Sequence, residues 1–178
     1  MPRSNLARAW RYEPAPRVPK ITTMIRWIDG FFGGLIAGVT SASFFAVVAV
    51  AWLHDVTLDG FFAQAAQALP PFHRAPVSWA LTGLGVVLYF ALAGAFGVVY
   101  ALLARRLRSM WRAPTSVAWG LFYGLLVWWA INDVLVPITG AIQVQPLWVG
   151  LIGTVIFYGV VLSELTTVAH RREASAAP

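Results

Sequence analysis

The chain has 178 residues, 59% of them hydrophobic and 11% charged, with thirteen Lys and Arg against seven Asp and Glu. That length allows one ordinary domain, but a mean hydropathy of +0.70 and apolar stretches of twenty-odd residues exclude a disordered chain, a secreted disulfide module and an ordinary soluble enzyme. With no cysteine at all, disulfides, thiolate metal sites, iron–sulfur ligation and cysteine nucleophiles are excluded together.

In chain order, residues 1–26 form a basic, proline-rich tail that also carries Trp10 and Tyr12. Its arginines resemble the start of a signal peptide. Pro14, Pro16 and Pro19 interrupt it, however, and the apolar run that follows is too long for a cleaved segment, so the first span is expected to be retained. Four apolar runs then follow at about 30–53, 77–104, 113–136 and 146–169. Each is long enough, at about 1.5 Å per residue, to cross a hydrocarbon core of roughly 30 Å as a helix. Pro137 is expected to end the third run, because proline cannot continue the helical ladder.

Between the first two runs, the outer loop 54–76 contains Thr57 to Leu69, where Leu58, Phe61, Phe62, Ala65 and Leu69 share one helical face. This segment predicts a short interfacial helix ending at Pro70 and Pro71, with Phe61 and Phe62 as a ledge facing lipid or a partner. The expected fold is all-α: an integral membrane four-helix bundle over residues 27–172, followed by a short tail at 173–178.

Basic residues give the direction. Six lie in the first 26 residues, four between the second and third runs and two after the fourth, leaving only Arg74 on the other side. This asymmetry predicts cytoplasmic amino and carboxyl termini in a multi-pass protein of the bacterial inner membrane. Tryptophans fall into two matching belts: Trp27, Trp111 and Trp119 at the inner level, and Trp52, Trp79, Trp128, Trp129 and Trp148 at the outer. The positive charge is thus spent on topology and on anionic headgroups, and no nucleic-acid partner is expected.

Small residues recur at helical spacing: Gly30, Gly34 and Gly38 in the first span, Gly97 in the second, Gly120 and Gly124 in the third, and Gly159 in the fourth. In lipid such stripes let backbones approach, and we expect them to be packing faces within the four-helix unit. The segment from Gly30 to Ile36 also echoes the segment from Gly120 to Leu126, as two related hairpins would.

Acids within spans mark candidate polar sites, because each is costly in hydrocarbon unless paired or hydrated. Asp29 sits one turn from Arg26, near the inner headgroups. Asp133 falls at the outer boundary. Glu164 lies seven residues before Arg171, about 10 Å inside the arginine level, and is the deepest. Its carboxyl reads either as a proton- or cation-binding group or as a hydrogen-bonded group helped by Ser163, Thr166 or Thr167, or paired with Arg105 or Arg26. His54, Asp55 and His73 match no recurrent metal spacing, and no phosphate loop, nucleophile elbow or zinc-protease helix is present. We expect no enzyme, no metal and no cofactor.

The run Gly34-Leu35-Ile36-Ala37-Gly38, with Phe96-Gly97-Val98-Val99-Tyr100, Trp119-Gly120-Leu121-Phe122-Tyr123-Gly124 and Ser163-Glu164-Leu165, resembles the YagU-type small bacterial inner-membrane proteins over about residues 27–172. The resemblance implies a four-helix inner-membrane protein, with Glu164 matching an acid near the end of the last span. The basic tail and the Phe61-Phe62 ledge depart from that pattern. Abundant packing surface beside few chemical groups points to an accessory or scaffold subunit of a larger inner-membrane complex, respiratory or photosynthetic in type, whose partners are lipids and other integral membrane proteins. The alternative is a small transporter or proton path using Glu164.

Overall fold

In the computed structural model, residues 27–52, 54, 57–73, 75–111, 115–139 and 146–176 are described. They contain helices and no strand. The basic tail, Asp55, Arg74 and Arg112 lie outside the described residues, as does the Asp29–Arg26 pairing expected from the sequence.

Four helices are long and apolar enough to cross a membrane: α1 (Trp27–Trp52), α3 (Trp79–Arg106), α4 (Thr115–Thr139) and α5 (Leu147–His170). The protein is therefore a multi-pass membrane protein. A fifth, α2 (Leu58–Gln67), lies between α1 and α3. The bundle has an arginine end, with Trp27, Arg106, Thr115 and His170, and a loop end, with Trp52, Trp79, Thr139 and Leu147.

Local chemistry explains the boundaries near the loop end. The Thr57 hydroxyl caps α2 by accepting from the Gly60 N–H at 3.3 Å, and Ser78 caps α3 by accepting from the Leu81 N–H at 3.3 Å. His54 takes a left-handed backbone conformation, with φ of 55°, as residues just past a helix end commonly do. Pro70 opens a short 3-10 turn over Pro70–Phe72. Gln67 then ties this loop: its side-chain amide donates to the Ala75 carbonyl at 3.0 Å, and His73 Nδ1 donates to the Gln67 carbonyl at 2.8 Å. The His73 ring is thus engaged in closing a turn.

Two antiparallel pairs build the bundle, and glycine brings each together. A Cβ at Gly97 of α3 would collide with the Gly30 carbonyl oxygen and lie 2.7 Å from Gly34 Cα on α1. A Cβ at Gly159 of α5 would collide with the Gly120 carbonyl oxygen and lie 3.0 Å from Gly124 Cα on α4. The two contacts have the same design. Backbone approach of this kind is the main route to dispersion contact where lipid removes the hydrophobic drive between helices. The pairs join mainly through α1 and α5, where Gly33 faces Leu162 and the Thr40 hydroxyl donates to the Phe157 carbonyl at 3.0 Å.

Along the remaining seam, between α3 and α4, the backbones stay apart among the described residues. Tyrosines bridge it. Tyr123 of α4 donates to the Phe96 carbonyl at 2.6 Å, and its ring meets that of Tyr100 edge-on at 5.0 Å. From α5, Tyr158 donates to the Ala93 carbonyl at 2.7 Å. These rings lie in the main buried core with Leu162 and Ala101.

Three spans change pitch on the way. α1 is π-helical over Ala46–Trp52, α4 over Ala130–Leu135 and α5 over Gly153–Val160. In α4 this corrects the boundary expected at Val136: the helix continues through Pro137 to Thr139. Proline lacks an N–H and its ring crowds the carbonyl four residues back; the wider preceding turn makes room for that ring, so the helix survives it.

Candidate functional site

At the loop end all four spans and α2 enclose a partly open cavity of about 190 Å³. Its origin is the α3–α4 seam, where bridging tyrosines fill the part toward the arginine end and leave the rest open. Small residues widen it: Ala93 from α3, Gly150 and Gly153 from α5, Ala65 and Ala68 from α2. Along α4 the lining runs from Val127 to Thr139, thirteen residues and so about 18 Å of helix. The cavity reaches from the loop end to the middle of the bundle.

Two kinds of group line it. Phe45, Phe61, Tyr89, Phe96, Trp128 and Tyr158 provide aromatic wall, while Ser41, Gln64, Asn132, Thr139 and Thr154 provide neutral polar groups. No Asp, Glu, Lys, Arg or His is among them. Tyr89 is fixed by donating to the Gly38 carbonyl at 3.2 Å, and Asn132 donates to the Trp128 carbonyl at 2.8 Å. The Trp128 indole N–H is buried and has no acceptor among the described residues.

The Phe61-Phe62 ledge requires a correction. Both side chains are half-buried and turned toward the bundle: Phe61 stacks on Phe45 at 4.0 Å, and both rings meet Tyr89 edge-on at 5.5 and 5.7 Å. The cause is Gly85 of α3, which has no side chain and so lets the α2 backbone settle at Phe62 onto α3. The middle of the apolar face of α2 thus packs on its own bundle, while Leu58 and Leu69 at its ends stay exposed.

The three acids expected as a polar site are not brought together. Asp29 is half-buried in the first turn of α1, and Asp133 is exposed in the π-helical stretch of α4 toward the other end. Glu164 is exposed on α5, where its Oε1 accepts a hydrogen bond from the Ser116 hydroxyl at 3.2 Å. Ser116 is only the second residue of α4, so the carboxylate lies level with the first turn of that helix, whose positive end favours an anion. Counting from Arg171 overstates its depth, because α5 continues well past the start of α4. Ser163, Thr166 and Thr167, expected to help Glu164, donate instead to carbonyls of their own helix. No group of three or more His, Asp and Glu placed to hold a metal occurs among the described residues.

Sequence reasoning placed Ser116 in the small-residue stripe of the third span but missed the cavity and the pairing of Ser116 with Glu164. Ser116 carried a legible signal: it continues the Gly120-Gly124 stripe and therefore faces α5. The cavity carried none, since it depends on which seam stays open. No family model, curated protein or solved structure matches this chain.

Proposed function

We propose that the protein is an accessory or scaffold subunit of a larger bacterial inner-membrane complex of respiratory or photosynthetic type. One observation carries the reading. The glycine stripes of α1, α4 and α5 are consumed inside the bundle, yet α3 also has an outward stripe of small and β-branched residues at four-residue spacing. It comprises Gly83, Val87, Ala91, Ala95 and Val99, all exposed, with Val87 65% and Val99 46% accessible, and nothing lies within 4 Å of a Cβ built on Gly83. Lipid tails do not require small residues, whereas a second helix packing closely does.

The orientation is read from charge: twelve of the thirteen basic residues flank the arginine end in sequence, which supports a cytoplasmic arginine end with both termini on that side. The loop end then faces outward, and α2 lies at the outer interface, covering helix ends. Glu164, with Ser116, serves as a clasp at the start of α4. The alternative, a transporter or proton path through Glu164, asks for a carboxyl facing a shared interior, and Glu164 neither lines the cavity nor faces away from solvent.

The test is gentle extraction of the tagged protein from native membranes, a native gel, and identification of companions by mass spectrometry. A stoichiometric membrane partner is expected; a solitary four-helix species would contradict the proposal. Reconstituted vesicles provide the second arm, in which no proton flux above background is expected. Flux abolished by Glu164→Gln would favour the path instead.

A further inference from the structure

We propose that the cavity at the loop end is a binding site for the ring of an uncharged, membrane-soluble quinone. Three features select this chemistry. Among the described residues the lining holds no Asp, Glu, Lys, Arg or His, so a charged ligand would be desolvated there without a counter-charge. Aromatic side chains form much of the wall, with Phe96, Trp128 and Tyr158 toward mid-span, which suits a planar ring through stacked or edge contacts. The side-chain amide of Gln64 on the lining supplies a donor for a carbonyl oxygen on the ring.

Size and access agree with this occupant. Cavities of about 150 Å³ lined by apolar groups hold benzene, and about 190 Å³ is enough for a substituted ring. Leu92 of α3 both lines the cavity and is 40% exposed, so the α3–α4 seam is where the cavity meets its surroundings. An isoprenoid tail would leave through that seam into lipid while the ring stays inside. The π-helical stretches of α4 and α5 add a further sign: they place Ile131, Asn132, Gly153, Thr154 and Tyr158 on the lining, and π-helical turns are frequent at functional sites. A plain acyl chain would make no use of the Gln64 and Thr154 side chains on the lining.

The site stands whether or not the protein docks onto a complex, and its test needs only the purified full-length chain in lipid nanodiscs. Binding of a short-chain ubiquinone analogue is measured by calorimetry, alongside dodecanol as a ring-free competitor. Saturable one-to-one binding of the quinone is expected, with dodecanol failing to displace it at equal concentration. Gln64→Leu, which keeps a side chain of similar size and removes the amide, should weaken binding about tenfold. Ala65→Trp, which fills the cavity from α2 without entering a span, should abolish it. Both variants are first checked for a wild-type elution volume and helical content. Absence of saturable binding by the wild type, equal displacement by dodecanol, or unchanged affinity in Ala65→Trp would each overturn the proposal, the second assigning the cavity to lipid chains.

Discussion

Tyr158, Tyr123 and Tyr89 show how single side chains hold a bundle whose α3–α4 seam has no close backbone contact. Each donates its hydroxyl to a main-chain carbonyl of another helix, at 2.7, 2.6 and 3.2 Å. Interhelical hydrogen bonds in membranes contribute on the order of 0.6 kcal/mol each and up to about 1.7. Tyr158→Phe, which removes a buried bond of 2.7 Å to a residue of the cavity lining, should therefore lower stability by about 1 kcal/mol in a mixed-micelle unfolding titration, while Tyr89→Phe should cost less. Equal effects, or none, would show that ring packing rather than the hydroxyl matters. Glu164→Gln retains an oxygen for Ser116 and should change stability by less than about 1 kcal/mol. At this scale the sequence was informative about which residues are unusual and poor about where they point. Phe61 and Phe62 stood out correctly as an apolar pair, but their direction was set by Gly85, twenty-odd residues away. Glu164 stood out as an acid inside an apolar run, but its depth depended on the stagger of α4 against α5.

Among the elements, the two glycine contacts make the sharpest demands. Gly97 and Gly159 leave no space for a side chain, because the obstacles are backbone atoms of the facing helix and cannot rotate away. Gly97→Leu or Gly159→Leu should separate a helix pair and abolish the monodisperse folded species on size exclusion. Gly83→Leu, at an exposed position of α3, should be tolerated, and the added helix propensity of about 1 kcal/mol should leave it as stable as the wild type or more so. If all three behaved alike, glycine content rather than close approach would be the relevant property. The existence of four spanning helices and the glycine faces were readable from length and spacing, since both are local properties of an apolar run. The π-helical stretches were not. They arise where helix packing and Pro137 compete with regular pitch, and no residue-by-residue preference announces that competition. The end expected for α4 at Val136 differed from the observed Thr139 for this reason.

Taken as a whole, the molecule is two glycine-locked hairpins joined through α1 and α5, with one looser seam. The echo between the segments starting at Gly30 and Gly120 corresponds to equivalent roles: each supplies the first helix of a pair, and each receives a glycine of the second helix, Gly97 or Gly159. That arrangement places three consequences in different parts of one bundle. The arginine end carries Arg105, Arg106 and the Glu164–Ser116 clasp, the loop end holds the neutral cavity, and the outer side of α3 presents a stripe that the fold itself does not use. The proposed scaffold role lives on that stripe. The most direct measurement is a native-gel comparison of complexes extracted from cells expressing the wild type or the Ala91→Phe/Ala95→Phe double variant. Both positions are exposed on α3, so the variant bundle should fold and insert at wild-type levels. The account predicts that the variant migrates as a free subunit while the wild type co-migrates with a stoichiometric partner; co-migration retained in full by the variant would contradict it.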